Sequence, residues 1–350
     1  MNKSIAEQLA IHGIYGPGSD KLATYERHLT RFFEREYKRI ENHHSTSRAL
    51  GVFTDRGAMS LETNKLMDYH YDEQREFFNS FLDTRFMAYT MAFYGETPEE
   101  ILASKYTLEE AQLAKFALIA ERAGIEGHEH ILNIGCGFAP LETFLLKKYP
   151  KIRIVGITPS NVQAAYINER KCNKDDPLCT NRFTLIKESF ENITLAKEDF
   201  DTIITIGLFE HVVNIKYVMN RIHVLLKPNG KAFHHFITSK YPVPKFLNPN
   251  NTRIGKYFPG GHVWPADEII RQTGDFNLEG YWFVNGLNYW RTLEEWHRRY
   301  WASLEHLYGS VFDIKAVAHW NEYFSLCKVV FAPLDGTFYG NSHYLFSKSR

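Results

Sequence analysis

Short apolar runs separated by polar turns give the middle of the chain a repeating rhythm. Four of these runs predict buried strands, at residues 152–157, 183–186, 200–206 and 231–237. Two stretches between them predict helices, at residues 161–170 and 215–226. Strands that alternate with helices at this period form a mostly parallel sheet with helices on both faces. The hydrophobic pattern therefore predicts an α/β fold.

The stretch 129–139 opens this alternation. An apolar run up to Ile134 is followed by Gly135, Cys136 and Gly137, and residues 141–148 are typical of a helix. Two glycines one residue apart let the backbone bend sharply and approach a ligand closely. The helix start beyond them offers free N–H groups. A nucleotide-type cofactor is held in this way at the first crossover of an α/β sheet.

The spacing of the turn bears on which cofactor it holds. A dinucleotide fingerprint needs Gly or Ala three positions after the second glycine, where this chain has Pro140. The end of the second strand also lacks the acidic residue of such sites. The short form suits a smaller ligand without phosphates, such as S-adenosylmethionine. From the turn alone, an ordinary strand-to-helix connection remains an open alternative.

The remainder of the chain predicts two further regions. Residues 1–66 form an N-terminal helical extension in which residues 21–42 have the pattern of an amphipathic helix. Residues 67–350 form the main domain, and residues 240–310 interrupt its rhythm, which predicts a cap over the site. Residues 323–331 and 342–346 are candidates for a closing pair of strands.

Composition and charge narrow the classes of function. Lys plus Arg and Asp plus Glu both number 41, and a zero net charge argues against a general nucleic-acid binder. Aromatic residues make up 15%, which suits an apolar or cation-accepting pocket. Four irregularly spaced cysteines predict free thiols and no metal site. Neither a signal sequence nor a transmembrane run is present, so we expect a cytoplasmic protein, with peripheral membrane contact left open.

Polar residues follow the predicted strands, where α/β sheets bind ligands. Thr158, Ser160 and Gln163 offer neutral donors and acceptors for a ribose or an amino-acid group. Glu210 follows an apolar pair and lies beside His211, so burial is expected to raise its pKa and suit it to proton transfer. His235 ends a neighbouring strand. The alternatives are a helix-terminal role for Glu210 and hydrogen-bonded structural roles for the histidines.

A series of motifs resembles the cyclopropane fatty acid synthase family of S-adenosylmethionine-dependent enzymes, which includes the mycolic acid cyclopropane synthases. The plant coclaurine N-methyltransferases share most of the same framework. The resemblance covers about residues 68–348. In chain order the motifs are His70-Tyr71-Asp72, Tyr89-Thr90 and residues 107–112, 134–137, 158–163, 209–212, 256–261 and 288–293.

This resemblance implies a Rossmann-like class I methyltransferase fold with a mostly parallel sheet, an antiparallel last strand and a helical cap. It assigns cofactor contacts to Tyr89, Thr90, Gly135, Cys136, Gly137, Thr158, Gln163, Ser189 and Phe190. It assigns the cradle of a bicarbonate ion, the proton acceptor of the cyclopropane synthases, to Glu210, His235, Ile237 and Tyr289. Glu210, His235 and Tyr289 are thus the expected catalytic residues.

Several residues depart from the family pattern. Met91 stands where the synthases have the Cys of the bicarbonate site, Asn133 replaces an Asp, and Phe138-Ala139 replaces Trp-Gly. We therefore expect methyl or methylene transfer to an unsaturated, lipid-like acceptor. The alternative is N- or C-methylation of a small amine or other metabolite, and a catalytically silent cofactor-binding protein is a rival of another class. The acceptor, the oligomeric state and the role of residues 1–66 stay open.

Overall fold

The protein is described by a computed structural model covering residues 4–42, 58, 59, 73–247, 250, 252–258 and 260–349. The His70-Tyr71-Asp72 motif lies outside these residues. The α-helices are α1 (Ile5–Ile11), α2 (Asp20–Asn42), α3 (Arg75–Phe81), α4 (Pro98–Ala103), α5 (Leu108–Arg122), α6 (Pro140–Lys148), α7 (Asn161–Lys171), α8 (Ile215–Leu225), α9 (Glu268–Arg271), α10 (Leu287–Leu307) and α11 (Ile314–Phe331). The strands are β1 (His130–Ile134), β2 (Arg153–Thr158), β3 (Phe183–Lys187), β4 (Phe200–Ile206), β5 (Leu226–Ser239), β6 (Lys245–Leu247), β7 (Gly261–Pro265), β8 (Phe276–Asn285) and β9 (Tyr339–Lys348).

The main sheet has the strand order β3-β2-β1-β4-β5-β9-β8. Its first five strands are parallel, whereas β9 runs antiparallel to both β5 and β8. Strands β2 and β3 are added on one side of β1, and strands β4 and β5 are added on the other side. In open α/β sheets a ligand-binding crevice forms where the strand order changes direction in this way. The predicted α/β fold and the antiparallel last strand are therefore confirmed.

Strand β5 is longer than its neighbour β4 and pairs along one edge first with β4 and then with β7. Its pairing with β4 ends at Ile206 and His235, and β7 then pairs with Thr238 and Ser239. Strand β9 occupies the opposite edge of β5 throughout this stretch. Strand β7 therefore continues along the edge that β4 leaves, with a short gap between them at Ile237.

Two predictions about the C-terminal half are wrong. Residues 323–331 belong to helix α11, because Asp313 caps the helix start and the helix is buried on nearly every side, which hides a helical period. The strand that closes the sheet together with β9 is β8, which lies inside the predicted cap of residues 240–310. As an edge strand with mostly exposed or half-buried residues, β8 lacked the apolar run expected of a buried strand.

The N-terminal helices α1 and α2 belong to the same hydrophobic cluster as α10 and α11. Tyr37 of α2 stacks on Phe338 with 4.1 Å between ring centroids, and its hydroxyl donates to the carbonyl of Val330. The buried ammonium of Lys328 in α11 pairs with Glu26 of α2 at 2.8 Å. This part of the extension therefore rests on the helical layer beside the sheet.

Throughout the ranges that the structure describes, every helix is too short or too polar to cross a bilayer.

Candidate active site

The glycine turn after β1 has the backbone that the sequence predicts. Gly135 and Gly137 have φ angles of 83° and 59°, a left-handed conformation that glycine adopts without strain. A Cβ atom built on Gly137 would meet no atom within 4 Å, and one on Gly135 would meet only a Leu208 methyl carbon, at 3.6 Å. The turn thus leaves open space above its backbone, which is the requirement for a ligand to approach it closely.

A buried pair of polar residues supports this turn from below. Asn133 donates a 2.7 Å hydrogen bond to Glu142 on helix α6, and the other carboxyl oxygen of Glu142 has no partner among the described residues. Burial raises the pKa of the Glu142 carboxyl to about 7. The Asn that replaces the family Asp therefore spares Glu142 a second charge at hydrogen-bond distance.

Strand β2 ends in a small hydrogen-bonded cluster. The hydroxyl of Thr158 donates to Gln163 at 2.6 Å, and Ser160 caps helix α7 by accepting from the Gln163 backbone N–H. Thr158 and Gln163 line the central cavity, but Ser160 is not part of its wall. The side chain of Ser160 thus has a local structural role as a helix cap, and its contact with a ligand stays a prediction.

The loop between helices α3 and α4 brings Tyr89 and Thr90 to the cavity. The buried ammonium of Lys115 donates to the Thr90 hydroxyl at 2.7 Å, and burial lowers the pKa of Lys115 to about 7. The hydroxyls of Tyr89 and Tyr323 lie 3.2 Å apart. Neither Lys115 nor Tyr323 was singled out from the sequence, since both belong to apolar helical stretches and meet this loop only in the fold.

Phe190 and Ser189, after β3, line the far side of the cavity, and Met59 lies against them. Met59 is 7% exposed, and its carbonyl accepts a 2.8 Å hydrogen bond from the backbone N–H of Val213. Its own N–H donates to Glu191. Sequence reasoning left the role of residues 1–66 open, whereas the structure includes Met59 in the cavity wall. No local motif signals this contact.

Glu210 lies in a single helical turn, Phe209–His211, after β4. Its Oε1 accepts a 2.8 Å hydrogen bond from the N–H of Ile237, in the gap between β4 and β7. Its Oε2 is buried and has no partner in the described part of the chain. Burial raises the pKa of the Glu210 carboxyl to about 7, as the sequence predicted. A carboxyl of this pKa can accept or release a proton near neutral pH.

His235 is fully buried, and both of its ring nitrogens have protein neighbours. Nδ1 lies 2.7 Å from Nε2 of His343, and Nε2 lies 2.9 Å from the Asn341 amide nitrogen. Burial keeps the pKa of His235 well below 6.5, so the ring is neutral. For His211, burial first and His262 second lower the pKa to about 4. The hydrogen-bonded structural alternative thus describes the contacts of His235.

One cavity brings together all but one of the predicted site residues. Its walls include Tyr89, Thr90, Gly135, Cys136, Gly137, Thr158, Gln163, Ser189, Phe190, Glu210, His235 and Tyr289, and Ser160 alone is absent. Aromatic and apolar side chains, Met91, Phe258 and Tyr323 among them, also line this cavity. Among the residues described, no cluster of His, Cys, Asp and Glu is suited to a metal ion. The arrangement can hold an elongated polar ligand beside an apolar compartment with one ionisable carboxyl.

Comparison with known proteins gives the family. The family model for mycolic acid cyclopropane synthetase matches residues 60–336. The cyclopropane-fatty-acyl-phospholipid synthase of Escherichia coli K12 is 30% identical over 240 residues, which cover 67% of this chain and 56% of that protein. The (S)-tetrahydroprotoberberine N-methyltransferase of Eschscholzia californica is 26% identical over 228 residues, covering 62% of this chain and 63% of that protein.

Solved structures of related enzymes share this fold. The crystal structure of coclaurine N-methyltransferase bound to N-methylheliamine and SAH superimposes with a TM-score of 0.73 at 21% identity, covering 98% of this chain and 93% of that one. The architecture is therefore that of a class I methyltransferase. The chain spans between about half and two thirds of the length of most of the curated relatives that it matches. Since the family model covers more than half of the chain, the protein belongs to the mycolic acid cyclopropane synthetase family.

Proposed function

We propose that this protein is an S-adenosylmethionine-dependent methyltransferase whose acceptor is an unsaturated, lipid-like molecule. The observation that carries the proposal is one cavity whose wall includes the open glycine turn, several aromatic side chains and Glu210, whose Oε2 has no partner among the described residues. Family membership and the E. coli relative support the same chemistry.

The residues of the turn suit the cofactor. Space above Gly135 and Gly137 would receive the ligand, and Thr158 and Gln163 would contact the ribose. Thr90, held by Lys115, would face the methionine end, and Phe190 would face the adenine. When bound, S-adenosylmethionine supplies a methyl group on a positively charged sulfur.

The aromatic and apolar wall of the cavity suits the acceptor. Aromatic faces such as those of Tyr289 and Tyr323 stabilise a positive charge that develops on the acceptor. Apolar walls exclude water, so the cation is not quenched by hydration. Glu210 takes up the proton that the methylated acceptor must lose, at its free Oε2. Uptake requires the ionised carboxylate, so turnover should rise with pH through about 7 and level off above it.

The bicarbonate cradle does not fit this site. The N–H of Ile237 is already bonded to Glu210, and both nitrogens of His235 have protein neighbours. Met91 offers a thioether, which does not donate to an anion. The Ile237 N–H, the His235 ring and Met91 therefore do not donate to the ion, and we propose that the product is a branched alkene rather than a cyclopropane.

Labelled cofactor and dioleoyl phospholipid vesicles test the proposal. A branched alkene and a cyclopropane both gain one CH₂, so mass alone does not separate them. The branched product keeps its double bond and takes up hydrogen on catalytic hydrogenation, whereas a cyclopropane shows high-field proton resonances. Added bicarbonate should change the wild-type rate little, and Met91→Cys should make the rate more responsive to it. A bicarbonate-dependent cyclopropane product would refute this assignment.

Glu210→Gln tests the proton acceptor. We expect a loss of turnover of roughly 10²–10⁴-fold with an unchanged affinity for S-adenosylhomocysteine. The matched control is Glu305→Gln, because Glu305 lies on the exposed face of α10, far along the helix from the cavity. Full activity of Glu210→Gln would remove this carboxyl from the chemistry.

The second candidate is N-methylation of a small amine. It is favoured by the coclaurine N-methyltransferase structure, which matches 98% of this chain. For an amine, Glu210 accepts the N–H proton directly and no carbocation forms. Incubation with heliamine, the demethylated form of that structure's ligand, separates the candidates. Methylation of heliamine in preference to oleoyl chains would favour the second.

A further inference from the structure

A line of buried polar side chains leads from the outer side of the sheet to the cavity. Register pairs His235 with His343 and Ile237 with Asn341 on neighbouring strands β5 and β9, so all four side chains share one face of the sheet. Arg122, the last residue of α5, lies 3.0 Å from His343 Nδ1 and is itself held by Glu96 at 3.3 Å. His235, His343 and Asn341 are at most 2% exposed.

The guanidinium of Arg122 fixes the direction of every hydrogen bond along this line. A guanidinium has donors only, so Nδ1 of His343 must be the acceptor. Burial and the nearby cations keep the pKa values of His343 and His235 well below 6.5, and both rings are neutral. The single proton of His343 is therefore on Nε2 and is donated to Nδ1 of His235. By the same argument the proton of His235 is on Nε2.

This direction determines how the Asn341 amide is oriented. Nε2–H of His235 needs an oxygen acceptor at 2.9 Å, which requires the amide oxygen at the position drawn as Nδ2. The two atoms of an amide exchange places by a half turn about the Cβ–Cγ bond. The NH₂ group then occupies the other amide position, which is buried and which no donor of the described residues approaches. Asn341 lines the cavity together with Glu210 and Ile237.

We propose that Asn341 is a substrate-binding residue whose amide N–H donates to an oxygen atom of the methyl acceptor, and that Arg122 orients it through His343 and His235. A buried amide N–H is costly unless an acceptor satisfies it, and a ligand oxygen in the cavity that Asn341 lines supplies one. The acceptor class is thus an unsaturated chain that carries an oxygen, such as a hydroxyl, close to its double bond. The role of Asn341 rests on the proposed lipid-like acceptor. The hydrogen-bonded relay from Arg122 through His343 and His235 to Asn341 does not depend on it.

The relay can be tested without any turnover. The full-length protein labelled with ¹⁵N-histidine gives imidazole nitrogen shifts, which are assigned with His235→Gln and His343→Gln. We expect both rings in the Nε2–H form at pH 7.5. Arg122→Lys, which keeps a donor only, should preserve this form, whereas Arg122→Gln, which can donate or accept, should give a mixture. An Nδ1–H form of either ring in the wild type would overturn the relay.

The ligand assignment is tested by binding. Ricinoleate carries a hydroxyl near the double bond that it shares with oleate, and both are titrated into the protein with S-adenosylhomocysteine present. One hydrogen bond predicts about five-fold tighter binding of ricinoleate to the wild type. Asn341→Leu should abolish this preference and leave the affinity for S-adenosylhomocysteine unchanged. An equal affinity for both lipids, or a preference that survives in Asn341→Leu, would overturn the role of Asn341.

These measurements separate the two proposals. If ricinoleate is preferred and the tautomers are as expected but no lipid is methylated, the proposed function fails and the relay with its oxygen-binding amide stands. If oleoyl chains are methylated and the preference is absent, the methyltransferase proposal stands and the inference about Asn341 fails. Arg122→Gln should weaken the preference only in part, because it acts through the two histidines.

Discussion

Replacing Glu142 by Gln should make the stability of the protein much less sensitive to pH. Burial raises the pKa of this carboxyl from 4.5 to about 7. Above pH 4.5 the carboxyl ionises in the unfolded chain but stays protonated in the folded protein, so the free energy of unfolding falls as the pH rises from 4.5 to 7. Above pH 7 this loss of stability is complete. Each pKa unit corresponds to about 1.4 kcal/mol, so the penalty at pH 8 amounts to about 3 kcal/mol. Gln keeps an oxygen that can accept from Asn133.

Urea unfolding followed by circular dichroism measures this effect at pH 5 and pH 8. We expect the free energy of unfolding of Glu142→Gln, relative to the wild type, to be about 2.5 kcal/mol more favourable at pH 8 than at pH 5. Glu110→Gln is the control of opposite sign, since hydrogen bonds from Thr107 lower the pKa of Glu110. A Glu142→Gln variant whose advantage is equal at both pH values would refute the argument from burial.

Two further changes test local features. Ala139 precedes helix α6 with a φ angle of 61°, a left-handed conformation that is strained for alanine. Ala139→Gly should therefore raise the free energy of unfolding by about 1 kcal/mol in a thermal scan, whereas Ala120→Gly inside α5 should lower it. A destabilised Ala139→Gly variant would contradict the assigned strain. Met59→Ala should weaken S-adenosylhomocysteine binding roughly fifteen-fold in a calorimetric titration, because about two CH₂-sized groups, worth about 0.8 kcal/mol each, leave the cavity wall. Met59→Leu should keep most of the affinity, and equal affinity of all three proteins would exclude Met59 from the cofactor site.

The features that the sequence predicts well are those that local chemistry determines. The turn at Gly135 and Gly137 follows from backbone freedom, and the capping box of Thr107 and Glu110 follows from spacing in the chain. The raised pKa of Glu210 was also predictable, because an acidic residue directly after a buried strand and an apolar pair has few ways to reach water.

The features that the sequence missed depend on partners that are far apart in the chain. Arg122 and His343 are separated by 221 residues, and nothing near either residue indicates a shared hydrogen bond. The placement of Met59 depends on a carbonyl that accepts from Val213. Helix α11 was mistaken for a strand because burial on most sides removes the periodicity that distinguishes the two.

The anchoring of Glu210 has a consequence for how new specificities could arise. The carboxyl is held by strand backbone, through Ile237, and its turn is fixed by a 2.9 Å bond from the Trp264 indole to the carbonyl of Phe209. The aromatic residues opposite, Tyr289 and Tyr323, come instead from helices α10 and α11. A directed-evolution library confined to those helical positions would therefore reshape the acceptor compartment while the proton acceptor stays in register. Because the proton acceptor and the aromatic residues are held by different elements, the acceptor specificity can change by substitution while the position of Glu210 is preserved.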